Sequence, residues 1–247
     1  MQANLASLRA LSIATVVLVA AGFSMVFFFA PLEQEGFIQK IFYLHVPLAI
    51  VALLGFVVAA GHAIRHLRSG DPIHDARAYV SIHLSVIFGV AVLATGAIWA
   101  KVQWGAWWVW DEPTLVSFLI VFLLYCTYYP LRYAIADRER QGRYASVFAI
   151  TAGAFVPLNF MAVRLADPFI HPRTFSSTGG LPGEMLVTFI VCLAAIGLLW
   201  ATLVRFELAA KSASARLGRI RRALDAEVPR AGGSRIAPSV PQRAASS

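Results

Sequence analysis

Cysteine is almost missing from this 247-residue chain: there are two, Cys126 and Cys192, each inside an apolar run. Neither belongs to a Cys-x-x-Cys pair or a Cys-x-x-Cys-His sequence, which excludes a dithiol carrier and covalent attachment of haem to the chain itself. They read as small buried apolar residues. Charge is also scarce, at 14% of residues, while hydrophobic residues reach 59% and mean hydropathy is +0.69, a balance that excludes an ordinary soluble domain. There is no glycine-rich nucleotide motif, so any ATP chemistry must reside on another chain. No internal repeat is present.

What remains is an all-α membrane protein with six transmembrane helices. The expected spans are Leu11–Ala30, Val46–Ile64, Tyr79–Ala100, Thr114–Tyr133, Ala145–Val163 and Met185–Arg205, each near the ~20 residues that cross a bilayer as a helix. The first is too long, and lacks a small-x-small site before Pro31, to be a cleaved signal peptide. All but four of the 21 Lys and Arg fall on the amino-terminal side of the topology. The exceptions are Lys40, Lys101, Arg164 and Arg173, which places both termini in the cytoplasm. The net charge of +8 is therefore a topology signal, and no nucleic-acid partner is expected.

Residues 1–205 form the expected membrane domain, and 206–247 a tail. The tail begins as a basic amphipathic segment, with Leu217, Ile220 and Leu224 at helical spacing among Lys211, Arg216, Arg219, Arg221 and Arg222, suited to anionic lipid. From Pro229 on it is Ala, Gly, Ser, Pro and Arg, a composition expected to be disordered. The inner connector Ala134–Arg143 interleaves acids and arginines, as a solvated loop or a docking surface does.

Four of the six tryptophans lie in one outer connector, Trp104-Gly105-Ala106-Trp107-Trp108-Val109-Trp110-Asp111. An interfacial belt scatters its indoles over all helix ends. Four in one loop make a flat, polarizable wall suited to a large planar ligand. Trp104, Trp107 and Trp108 share a face if the segment is helical, Trp108 and Trp110 if it is extended. Asp111 precedes Glu112-Pro113 at the start of the fourth span, where an acid also serves a helix amino terminus.

The histidines divide by side. His62, His66, His74 and His83 fall at inner ends; His62 and His66 are one helical turn apart, but Arg65 and Arg68 beside them disfavour a metal, and His83 suits an interhelical hydrogen bond. His45 and His171 are outer. His45 ends a short amphipathic interfacial helix marked by Ile38, Ile41 and Phe42, and His171 is held extended by Pro172. Two imidazoles facing each other across an aromatic platform supply the axial ligands and apolar surround of a six-coordinate haem iron.

The tryptophan run resembles the signature of the haem-handling membrane proteins of cytochrome c biogenesis. Together with the six spans, Tyr43-Leu44-His45-Val46-Pro47, the stretch Arg138–Val147 and His171, the chain is similar to the haem exporter protein C family from about Phe37 to Arg205. The resemblance implies haem b on the periplasmic face of the inner membrane, with His45 and His171 as its metal ligands. Trp104, Trp107, Trp108, Trp110 and Asp111 form its platform. It implies delivery to a periplasmic haem chaperone, with an ABC transporter ATPase, its membrane subunit and a small membrane subunit as partners. The chain would be a noncatalytic delivery subunit. Family members commonly place Ala-Arg or Pro-Arg after the motif aspartate; Glu112-Pro113 stands here instead, leaving Arg164 or Arg173 to meet haem propionates. The alternatives are a cytochrome c haem lyase, which resembles larger chains with extra membrane histidines, and a haem or solute permease, for which only Pro157 and Asn159 break the apolar spans.

Overall fold

In the computed structural model, residues 5–32, 36–165, 170–171 and 180–231 are described. Uninterrupted apolar sequence produces helix throughout, because each span must satisfy its own backbone polar groups. Helix α1 is Leu5–Phe28, α2 Phe42–Ser69, α3 Pro72–Trp104, α4 Pro113–Cys126, α5 Tyr128–Tyr133, α6 Arg138–Leu165 and α7 Gly183–Ala231. Six stretches are long and apolar enough to cross a membrane, with α4 and α5 serving together as one.

The boundaries differ from expectation where local chemistry extends a helix. The amphipathic segment before His45 is a 3₁₀ turn, Gly36–Ile41, that runs straight into α2, so His45 stands in the first turn of a span and not on a separate interfacial helix. Pro47 is accommodated near that amino-terminal end, where few backbone bonds are lost. At the other end, Gly70 closes α2 in a left-handed conformation (φ 68°), and Asp71 caps α3 by accepting from the Ile73 N–H.

Helix α2 is central, packing on α3 and α6, with α4 against α6. Close crossings depend on small residues. A Cβ on Gly55 would run into Ser85 Oγ of α3, and one on Gly153 of α6 would stand 2.6 Å from Ala60 Cβ of α2. The stacked rings of Phe56 and Tyr125, 3.7 Å apart, join α2 to α4 inside this core. Helix α1 is held to α7 by the Thr15–Thr202 hydroxyl pair at 2.7 Å. The turn that follows it is held by Lys40, whose buried ammonium donates to the carbonyls of Ala30 (2.6 Å) and Pro31 (3.1 Å).

At the end away from His45, Arg132 holds Asp75 in a two-pronged ion pair (2.6 and 2.7 Å) and donates to Tyr128. His83 Nδ1 pairs with Glu207 at 2.9 Å, the interhelical bond its setting suggests. His66 is bonded to Ser146, whereas His62 lies against His74, so the two histidines one turn apart do not form a pair. No metal-binding cluster of three or more His, Cys, Asp or Glu occurs among the described residues.

The compact unit that contains these spans reaches Leu208. Residues from Ala209 on group separately, and α7 remains helical to Ala231, with Leu217, Ile220 and Leu224 exposed. The stretch expected to be disordered begins at Pro229; α7 continues through Pro229–Ala231, and the rest of it lies outside the described residues.

Candidate functional site

One cavity of about 230 Å³ opens where α2, α3 and α4 meet the loop carrying His171. Its walls include His45, Trp99, Trp104, Trp108, Phe118 and His171. His45 and His171 thus line one space.

His45 is oriented by α3. Its Nδ1 lies 2.9 Å from Thr95 Oγ1, and the Thr95 hydroxyl itself sits 2.7 Å from the carbonyl of Ala91, four residues earlier. A carbonyl only accepts, so the hydroxyl proton goes to Ala91 and the Thr95 oxygen is left to accept from Nδ1–H. That fixes the tautomer: the lone pair is on Nε2, the state in which an imidazole binds a metal. Space for the ring comes from Gly96, where a Cβ would stand 2.9 Å from His45 Cε1.

His171 is positioned by a carboxylate. Glu112 is fully buried and its Oε2 accepts from the backbone N–H of Ile170 (2.9 Å) and of His171 (3.0 Å), while Oε1 accepts from Thr114 N–H at 3.2 Å. Burial pushes this carboxyl upward, but the three backbone donors outweigh it and hold it below the usual glutamate range. The cap of α4 is therefore Glu112 and not Asp111, which is exposed. Glu112, next to Pro113 at the start of α4, thus fixes the backbone of Ile170 and His171.

The tryptophan run is neither one helix nor one strand. Helix α3 continues to Trp104, and Gly105 ends it at φ 74°, a conformation strained for any residue with a Cβ. Trp104 meets Trp99 edge-to-face at 5.0 Å and the His171 ring at 6.2 Å. Trp108 also faces the cavity, and its buried indole N–H has no partner among the described residues. Trp107 and Trp110 are turned outward, 60% and 71% exposed, and do not line the cavity. Thus His45, His171, Trp104 and Trp108 are brought together, and Trp107, Trp110 and Asp111 are not among them. Arg173 lies outside the described residues, and only the backbone of Arg164 is described. Trp99, Thr95, Gly96 and Glu112 are additions that spacing alone did not show.

The chain is thus a six-span helical membrane protein of the class that carries an aromatic pocket between its spans, here one apolar cavity lined by two imidazoles and by indoles that meet edge to face. Comparison with known sequences narrows it. The family model for CcmC, heme exporter protein C, matches residues 1–222, and the chain belongs to that family. It is 29% identical over 195 residues to heme exporter protein C of Bradyrhizobium diazoefficiens, covering 78% of this chain and 74% of that protein. The Haemophilus influenzae protein of the same name is 30% identical over 199 residues, covering 78% and 80% respectively. The Escherichia coli K12 one is 33% identical over 155 residues, 62% of this chain and just under two thirds of the relative, at 63%.

Proposed function

We propose that the protein holds haem b between His45 and His171 on the periplasmic face of the inner membrane. It passes this haem to a periplasmic haem chaperone during cytochrome c maturation. An ABC transporter ATPase, its membrane subunit and a small membrane subunit are its partners. The haem is cargo, and the chain's contribution is to bind and orient it. The observation that carries this reading is the shared cavity of the two imidazoles, with His45 held in the ligating tautomer by Thr95.

The donor set fits the cargo. Two neutral nitrogens suit haem iron, and Trp104, Trp108, Trp99 and Phe118 supply aromatic surface for the porphyrin. The unpartnered N–H of Trp108 is a donor for a propionate carboxylate, a role that needs no arginine after the motif. At about 230 Å³ the cavity is below the ~300–1,000 Å³ of pockets that enclose a whole ligand. A porphyrin held there keeps part of its edge at the mouth, within reach of an acceptor protein. The lyase alternative needs further histidines in the membrane, and the candidates are His83 and His62; His83 is engaged by Glu207, and His62 lies against His74, both away from the cavity of His45 and His171.

The test is an absorption spectrum of the purified protein reconstituted with haem. Wild type should give a six-coordinate bis-imidazole spectrum. H45A and H171A should each lose it and weaken binding; a wild-type spectrum in both variants would remove the ligand assignment.

A further inference from the structure

A second cleft lies at the opposite end of the bundle, between the turn joining α2 to α3 and the first turns of α6. Its volume is about 580 Å³, and its lining includes His66, Arg68, Asp75, Arg138, Gly142 and Arg143. It differs from the haem-side cavity in being walled mainly by charged groups.

The charges in it do not cancel. Asp75 is fully occupied by Arg132, which takes both carboxylate oxygens. Glu139 is paired with Arg143 at 3.2 Å. Arg68 and Arg138 have no ion pair among the described residues, so two guanidinium groups from different helices face one space without a counter-charge. The floor is kept open by glycine: a Cβ on Gly142 would stand 3.0 Å from His66 Cε1 and 3.5 Å from its Nε2. His66 is buried and held by Ser146 through Nδ1, so its other nitrogen points toward Gly142 and not away into the core.

Paired guanidinium groups over a polar floor match a phosphate, since each offers a planar fork of donors. The setting distinguishes between sources of phosphate. The cleft lies where the apolar part of α2 ends: Leu67 lines it, and Ile64 on α2 and Tyr144 and Val147 on α6, each within about one helical turn in sequence of a lining residue, are exposed and apolar. A free phosphate has no use for those surfaces, whereas acyl chains do.

We propose that this cleft binds the phosphodiester of an anionic phospholipid, with Arg68 and Arg138 as the phosphate clamp and the exposed apolar side chains of α2 and α6 as the acyl-chain track. None of its lining residues belongs to the basic tail, whose arginines attract an anionic surface by charge alone.

Native mass spectrometry of the full chain, released from phosphatidylcholine bilayers with and without phosphatidylglycerol, tests it. Wild type should retain phosphatidylglycerol in preference to phosphatidylcholine. R68Q and R138Q should each lower that retention about fivefold, and the double variant about 25-fold. R219Q/R222Q in the tail should leave it unchanged. Equal retention by wild type and the double variant would overturn the site. Displacement of the lipid by low millimolar inorganic phosphate would overturn its assignment to lipid. Retention lost to the tail variant instead would assign lipid binding to the tail and overturn the cleft. None of these readouts involves haem, so the result stands apart from that of the histidine variants.

Discussion

Glu112 holds His171 by its backbone, not its ring: one carboxylate oxygen accepts the N–H of His171 at 3.0 Å and that of Ile170 at 2.9 Å. A loop histidine is thereby given a fixed starting point from the amino terminus of α4. Replacing Glu112 by Gln removes the charge and one of the acceptors at nearly constant volume. Hydrogen bonds to charged groups contribute ~1.5–3 kcal/mol, so haem affinity should fall at least about tenfold while helical content stays constant. A haem titration alongside circular dichroism measures both, and unchanged affinity would show that His171 is positioned by other contacts.

The same carboxylate sets an acid limit. Its ionisation is favoured in the folded protein, so its contribution is complete above the ordinary glutamate value of about 4.3 and fades only as pH falls below it, through the depressed folded value. Hydrogen exchange at the amides of Ile170 and His171, corrected for intrinsic rate, should stay slow down to that region and then accelerate. In E112Q the step should vanish; an acceleration at mildly acidic pH in wild type would contradict the assignment.

Thr95→Val keeps the shape of the side chain and removes the oxygen that accepts from His45 Nδ1. Loss of such an outer partner typically lowers metal affinity 10–100-fold. Haem binding should fall by about that factor in T95V and recover in T95S, which restores the hydroxyl. Equal affinity in all three would mean that the tautomer is fixed elsewhere.

Gly96→Ala should act on the same ring by contact. The added methyl would lie 2.9 Å from His45 Cε1, and that ring has little freedom while Thr95 holds it. Weaker haem binding is expected with unfolding temperature close to wild type, read by titration and by thermal denaturation in detergent. A loss of folding instead would make Gly96 a packing residue only.

Asp75 and Arg132 provide a stability test at the far end. Removing one partner of a fully buried ion pair leaves a charge uncompensated and costs about 3–5 kcal/mol, an upper bound for this partly buried pair, whereas replacing both with apolar groups is often nearly neutral. R132M should lower the unfolding temperature markedly, and D75L/R132M should regain most of it. A double variant as unstable as the single one would show that Tyr128 and the neighbouring rings depend on the guanidinium itself.

The spans were legible because hydropathy over a whole helix is a strong signal, and His45, His171 and Trp104 fell on one side by alternation alone. The roles of Thr95, Gly96 and Glu112 were not, since each depends on which residue a neighbouring helix or loop brings opposite. Thr95 and Gly96 matter because α2 crosses α3 at His45, a register no single-chain periodicity contains. The tryptophan run misled on orientation: a left-handed Gly105 breaks its geometry after Trp104, so neither helical nor extended spacing describes where Trp107 and Trp110 go. Lys40, counted with the outer cations, is buried and bonded to the carbonyls of Ala30 and Pro31 in the turn after α1.

That lysine has a mechanical corollary. Its ammonium clasps the carbonyls of Ala30 and Pro31, just past the end of α1, and it sits in the 3₁₀ turn that leads without a break into the turn carrying His45. One side chain thus straps the exit of the first span to the entry of the second, so loss of that ammonium would free both ends of the connector at once.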